Sequence, residues 1–283
     1  MGSLAEKLSA ARAMLVEAGI RPDEAAIDVH VYARTILAWD QATLLSRLRD
    51  PAPPSLEPRF SEWIARRERR EPTAYIVGAR EFWGRPFIVT PAVLVPRPET
   101  EFIVEEALPL VRGHAAPRLA DIGTGSGILA VTLAAELPSA SLVATDLSGA
   151  ALDVARSNAD LAGVAGRIAF IETSYLDAVD GMFDLIVANP PYVRDGDKPA
   201  LARDVRHEPD VALFGGADGL RDVAGVLDAA VARLRPGGWF VMEFGYGQED
   251  DVRRLVIERP SLQCDHVRED LQGIARTAVV QRV

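Results

Sequence analysis

Residues 119–130 read LADIGTGSGILA, and the order of residue types across this stretch decides the architecture. LADI is short and apolar apart from one acid, the composition of a strand buried on both faces, and ILA begins a helical run. Between them stand Gly123, Gly125 and Gly127. Glycine has no Cβ, so the backbone there can turn sharply and approach a ligand closely. A dinucleotide fingerprint, G-x-G-x-x-G, would place its third glycine at position 128. This chain has Ile128, so the turn is not that of a dinucleotide-binding protein.

Working outward, the same strand-then-helix rhythm recurs. PRLADIG, SLVATD, RIAFIE, FDLIVAN and GWFVMEFG are short apolar runs separated by helical stretches such as GAALDVARSNADLAG. This alternation predicts a mainly parallel sheet covered by helices on both faces, with ligands at the carboxyl ends of the strands. The tail, DHVREDLQGIARTAVVQRV, reads as a closing antiparallel pair. The G-x-G-x-G spacing resembles that of S-adenosylmethionine-dependent methyltransferases, in which the methionine moiety and ribose lie over the turn. Asp146 ends the second strand nineteen positions after Gly127, where a carboxylate can accept hydrogen bonds from both ribose hydroxyls. A competing role is the N-cap of the helix starting near Ser148; both can coexist.

Upstream, the period is helical. Leu4, Leu8, Ala11, Leu15 and Ala18 recur at helix spacing before Gly19, Pro22 and Asp23 open a second helix through Leu37, a short helix surrounds residues 43–48, and another covers residues 55–70. Residues 1–73 are therefore expected to form a small helical domain. In TAYIVGAREFWGRPFIVT, apolar runs flank Gly78 and Gly84, which predicts a hairpin over residues 74–95 linking it to a catalytic domain at 96–283, with a helix from about Glu99.

Composition excludes several classes. With 48% hydrophobic and 25% charged residues, the chain is that of an ordinary soluble globular protein. No apolar run is long enough to span a bilayer, and the first twenty residues read as an amphipathic helix, not a signal peptide. The single Cys264 suits a reducing cytosol. His30, His114, His207 and His266 lack ligand spacing, so no metal is expected. A net charge of -10 argues against a surface built to grip nucleic acid. ARRERRE, residues 65–71, is the one dense basic run and is read as a solvated helix face.

The chemistry is read from IVANPPYVRD, residues 186–195. Two prolines must end the strand and stiffen the segment after it. Asn189 offers a side-chain carbonyl and Pro190 a main-chain carbonyl, and two adjacent acceptors are what an NH2 group requires. Accepting both hydrogens of a planar amine at fixed geometry aims its lone pair, so catalysis would be orientation plus electrostatics. Tyr192 would pack on the planar group. The motif ends the fourth strand, two strands further on in the sheet, facing a cofactor seated on the first two. Exocyclic base amines and glutamine amides both satisfy it.

Taken together, REPTAYIVGAREFWGRPFIVTPAVLVPRPETE, DIGTGSG, NPPYV and DVRHEPDVALFGGADGL resemble, in that order, the HemK family of release factor glutamine methyltransferases. The likeness runs from about Arg70 to the carboxyl end. It implies a Rossmann-like fold with a seven-stranded sheet and S-adenosyl-L-methionine as donor with S-adenosyl-L-homocysteine as product; a cytoplasmic, monomeric enzyme is expected. The implied substrate is the glutamine of the Gly-Gly-Gln motif in class 1 peptide release factors, with no direct nucleic acid contact. By the same resemblance Asp121, Gly123, Thr124, Gly125, Ser126, Gly127, Asp146, Tyr175 and Asn189 fall on cofactor positions. Asn189, Pro190, Pro191, Tyr192, Arg97 and Glu99 fall on substrate positions. A sister group modifying a ribosomal-protein glutamine typically carries PRSP where this chain has PRPET at residues 96–100; an adenine-amino methyltransferase is the more distant alternative. The family often has an acid followed by tryptophan after the third strand. This chain has Ser174 and Tyr175, which places the polar contact to adenine in question.

Overall fold

The computed structural model describes residues 2–283 and divides into two compact units. One runs up to Gly78 and includes Arg203–His207; the other comprises Ala79–Ala202 and Glu208–Val283. The first is wholly helical: α1 (Leu4–Glu17), α2 (Pro22–Leu37), α3 (Gln41–Ser46), α4 (Arg59–Glu68) and α5 (Thr73–Val77). Ser3 and Glu6 form a reciprocal capping pair at the start of α1, and Gly19, at φ 83°, ends it. Leu4, Leu8, Leu15, Tyr32, Phe60 and Ile64 fill the core.

The basic run divides in two. Arg66 is half-buried and pairs with Glu71 at 2.5 Å, whereas Arg67 is 4% exposed and donates to Asp28 Oδ2 at 2.7 Å. The solvated-face reading therefore fails for Arg67. Positions 60, 63, 64 and 67 share one helical stripe, so the periodicity that buries Phe60, Trp63 and Ile64 carries a guanidinium inward with them. A buried cation needs carboxylate partners. Asp28 supplies one, and Asp204, from the distant Arg203–His207 segment of the same unit, lies 3.6 Å away.

In the second unit the hairpin is narrower than expected: β1 (Ala79–Phe82) pairs with β2 (Arg85–Ile88) around Trp83 and Gly84. TAYIV is not a strand. It closes as the helical turn α5, stopped by Gly78 in the left-handed conformation at φ 80°; an apolar run of that length does not by itself distinguish helix from strand. Phe82 and Phe87 enter the same core as α6 (Glu101–Val111), which follows a 3-10 turn at Pro98–Thr100.

The remaining elements alternate: β3 (Arg118–Ile122), α7 (Ile128–Glu136), β4 (Ser141–Asp146), α8 (Gly149–Leu161), β5 (Ile168–Glu172), β6 (Phe183–Ala188), α9 (Asp210–Leu213), α10 (Arg221–Arg233), β7 (Leu234–Glu243), α11 (Glu249–Ile257), β8 (Leu262–Glu269) and β9 (Ala275–Arg282). Seven strands form one sheet in the order β5-β4-β3-β6-β7-β9-β8, with β9 antiparallel to both neighbours and the others parallel where they pair. Strand periodicity sorts side chains between two cores. Leu119, Leu185, Val187, Val241 and Val279 meet α6, α7 and α8, while Ala120, Ile186, Ala188, Phe240 and Val280 meet α10 and α11. Burial on both faces explains why these strands read as nearly continuous apolar runs.

The strand carrying NPPY lies two places from β4 in the sheet and directly beside β3, with Ile122 beside Ala188. The chain builds outward from β3 through β4 to β5 and then returns to the other side of β3. The sheet therefore changes direction of growth between β3 and β6, and a crevice opens at their carboxyl ends. Among the described residues, no helix is long and apolar enough to cross a membrane.

Candidate active site

The crevice is lined by the glycine turn after β3, the end of β4, the loop after β5, the start of NPPY and the loop before α6. Gly123 and Gly125 sit at φ 70° and 54°. A Cβ added at either would meet nothing within 4 Å, so the space above the turn is open. Gly127, at φ 82°, is different: its Cβ would stand 3.0 Å from the Ala155 Cβ. It does not line the cavity and serves the close packing of α7 on α8. Thr124 and Ser126 line the cavity between these glycines.

Asp121, 1% exposed, accepts from Thr124 Oγ1 at 2.6 Å and from the Ala130 N–H at 3.1 Å through Oδ2. Its Oδ1 is buried with no partner. Burial pushes the carboxyl up to about 7, against the opposing effect of those two donors. Asp146 is also on the cavity wall. Its Oδ2 accepts from the Gly125 N–H and its Oδ1 from the Ser148 N–H, each at 2.9 Å, and burial raises its pKa. It is not the helix cap: Ser148 is, accepting from the Ala151 N–H at 3.2 Å. Asp146 instead ties the end of β4 to the glycine turn.

Asn189 follows the last residue of β6 and lines the cavity with Pro190 and Pro191. Its Nδ2 donates to Thr100 Oγ1 at 3.1 Å. Thr100 Oγ1 donates in turn to Glu243 Oε2 at 2.7 Å, and the Tyr192 hydroxyl donates to Glu243 Oε1 at 3.1 Å. Glu243, the last residue of β7, is 2% exposed, and burial raises its pKa against those two hydroxyl donors. Tyr192 does not line the cavity; it lies against Gly245, where a Cβ would meet its ring at 3.0 Å. Burial, then the adjoining Glu243, pushes its phenol far up. The structure thus brings Asn189, Pro190 and Pro191 to the crevice and holds Tyr192 behind it.

Residues 6–78 match the family described as the PrmC N-terminal domain, and residues 100–213 match the methyltransferase small domain. A protein of Bradyrhizobium diazoefficiens named release factor glutamine methyltransferase is 41% identical, over 92% of this chain and 89% of that one. One of the same name from Cereibacter sphaeroides is 44% identical over 95% of each. The chain belongs to the release factor glutamine methyltransferase family. Among solved structures, the hMettl16 catalytic domain in complex with an RNA hairpin superposes with a TM-score of 0.59 at 16% identity, covering 90% of this chain and 89% of that one; this likeness shows the fold alone. The HemK resemblance read from the motifs is borne out, as are the Rossmann-like sheet and the methyltransferase class.

The loop after β5 carries Ser174 and Tyr175, and the structure shows what stands there. Tyr175, at φ 45°, lines the cavity and donates from its hydroxyl to Asp222 Oδ1 at 2.9 Å. Burial and that carboxylate push the phenol up to about 12. Gly225 leaves room for the ring, since a Cβ there would fall 2.2 Å from it. Asp222, in the first turn of α10, thus brings a carboxylate to this end of the crevice. No motif signals it, because its role depends on a helix some fifty residues later folding over the β5 loop.

The loop before α6 contributes unevenly. Arg97 and Thr100 line the crevice and Glu99 does not. Glu208, 4% exposed, accepts from Arg97 Nη2 at 2.5 Å and from the Val95 N–H at 3.0 Å. Glu208, Thr100 and Glu243 are further polar residues that sequence reading missed. Each is buried and works on a partner more than 85 positions away, a relationship that no local spacing records.

Proposed function

We propose that this family member transfers a methyl group from S-adenosyl-L-methionine to the side-chain nitrogen of the glutamine in the Gly-Gly-Gln motif of class 1 peptide release factors, in the cytoplasm, with the helical unit docking the protein substrate. The observation that carries the reading is the placement of Asn189 and Pro190 beside the open glycine turn, on the neighbouring strand of the same crevice.

The residues present fit S-adenosylmethionine. The turn at Gly123 and Gly125 is an open cradle that side chains would fill, Asp121 has an unpartnered carboxylate oxygen beside it, and three carboxylates, Asp121, Asp146 and Asp222, line the cavity, a set of acceptors suited to a ligand bearing positive charge. Asp146 would hold the ribose and the Tyr175 ring the adenine. When bound, this cofactor supplies an electrophilic methyl on a sulfonium.

The chain itself supplies geometry. Asn189 Oδ1 and the Pro190 carbonyl accept the two hydrogens of the incoming amide, which fixes its plane and directs the nitrogen lone pair at the reacting carbon. The prolines keep those acceptors from moving. No Asp, Glu or His occurs within VANPPYV; the proton leaves after attack, because an N-alkylated amide is strongly acidic. Closing a dry site around a neutral nucleophile favours a step in which charge on sulfur disappears.

Incubation with labelled cofactor and a release factor, a large-subunit ribosomal protein or nucleic acid tests this. Label is expected on the release factor glutamine, and Asn189→Ala lowers the rate about 10²- to 10³-fold, as for loss of one positioned polar group. Label on nucleic acid alone would overturn the substrate, and full activity of Asn189→Ala would overturn the amide clamp.

A further inference from the structure

An asparagine amide can sit in either of two flipped orientations of nearly equal shape, and only one turns the carbonyl to the substrate. The buried bonds behind Asn189 discriminate between them. Glu243 takes the single hydroxyl hydrogen of Thr100 on Oε2 at 2.7 Å and that of Tyr192 on Oε1 at 3.1 Å, and in its ionised form the carboxylate has no hydrogen to return. With its hydrogen committed, Thr100 Oγ1 can only accept, and it meets Asn189 Nδ2 at 3.1 Å. Turning the amide over would set two oxygens face to face in a site where Thr100 is 0% and Glu243 2% exposed, and an unpaired buried acceptor is costly. The opposite end of the planar amide, Oδ1, is then the end left for the crevice that Asn189 lines.

We infer that Thr100 and Glu243 are positioning residues, a one-way hydrogen-bond relay that holds the Asn189 amide with its carbonyl toward the substrate nitrogen. The relay joins three chain ends: the turn before α6, the end of β6 and the end of β7. Thr100 lines the crevice and Glu243 does not, but the Thr100 hydroxyl is spent between Glu243 and Asn189, so loss of either group is expected to act on turnover through Asn189 and to leave the cofactor cradle intact. The inference rests on the amide-clamp reading of Asn189.

Four variants are compared with Asn189→Ala at saturating release factor and cofactor. Thr100→Val keeps the shape and removes the hydroxyl; Glu243→Gln keeps the shape and replaces one acceptor by a donor, which lets the Thr100 hydrogen turn to Asn189 and call for the inverted amide. Each is expected to lower kcat by about tenfold or more, an indirect share of what a directly positioned group supplies, while the dissociation constant for S-adenosylmethionine changes less than about twofold, well under the tenfold that 1.4 kcal/mol represents. Thr100→Ser restores the hydroxyl and recovers most of kcat; Glu243→Asp, whose carboxylate is too short to reach both hydroxyls, does not. Wild-type kcat in Thr100→Val and Glu243→Gln, with Asn189→Ala impaired, overturns the relay and spares the clamp. Equal impairment of Thr100→Ser and Thr100→Val also overturns it, since packing would then be the cause. Full activity of Asn189→Ala overturns the clamp and the relay with it. Should Thr100→Val fail to fold, the comparison of Thr100→Ser with Glu243→Gln decides in the same way.

Discussion

Asp146 and Gly125, on different strand-to-helix connections, are joined by one hydrogen bond, from the Gly125 N–H to Asp146 Oδ2 at 2.9 Å. The Thr124 N–H reinforces the link by donating to the Thr145 carbonyl at 2.8 Å. The glycine turn is thus held open by the neighbouring strand, and the carboxylate that would take the ribose is itself held by the turn.

Asp146→Ala is expected to weaken S-adenosylmethionine binding by about 1.5 to 3 kcal/mol, the worth of hydrogen bonds to a charged group, by titration calorimetry. Asp146→Asn keeps one acceptor and should lose less. Unchanged affinity in both would remove Asp146 from the cofactor site.

The two kinds of glycine in the turn should separate in experiment. Gly127→Ala drives a Cβ to 3.0 Å from Ala155 at φ 82°, so it should cost stability beyond the roughly 1 to 2 kcal/mol of left-handed strain alone. Gly123→Ala carries that strain into open space and should mainly abolish cofactor binding. Denaturant midpoints and calorimetry on the two variants give the comparison; a reversed pattern would contradict the assignment.

Asp121 predicts a pH dependence. Its carboxyl rises from the ordinary 3.8 to about 7 because burial disfavours the charge. Between those values the folded protein holds a proton that the unfolded chain releases, so stability present below the lower value is lost as pH rises through the upper one. The melting temperature of the ligand-free protein should fall across that window, and Asp121→Asn should flatten the fall. A cationic cofactor stabilises the ionised form, so its binding near pH 7 should release protons, seen as a dependence of binding heat on buffer ionisation enthalpy. No proton release would count against contact between Asp121 and the cofactor.

Arg67→Met leaves Asp28 buried without its cation, and removing one partner of a buried pair costs about 3 to 5 kcal/mol. Thermal unfolding should show the loss, with Arg66→Met, whose half-buried cation pairs with Glu71 instead, costing clearly less. Equal losses would mean that Arg67 is not the structural cation of this unit.

Much of this was legible in the linear chain, because it depends on neighbours in sequence. Apolar runs of strand length between helical stretches foretold the parallel sheet, and three alternate glycines with Ile128 at the decisive position separated this turn from a dinucleotide site. NPPY could be read as a stiff pair of acceptors because proline chemistry is local. What the tertiary structure decided is whatever depends on which segments become neighbours. TAYIV became a helical turn because Gly78 could cap it, Arg67 turned inward because its helical stripe met Asp28, and β6 came to lie directly beside β3. Tyr192 withdrew behind the cavity to bond with Glu243, and the facing of Asn189 was settled by Thr100 and Glu243, which lie 89 positions before it and 54 after it. A sequence records the donors and acceptors; only packing sets which hydroxyl has its hydrogen taken, and so which end of an amide is left for the substrate.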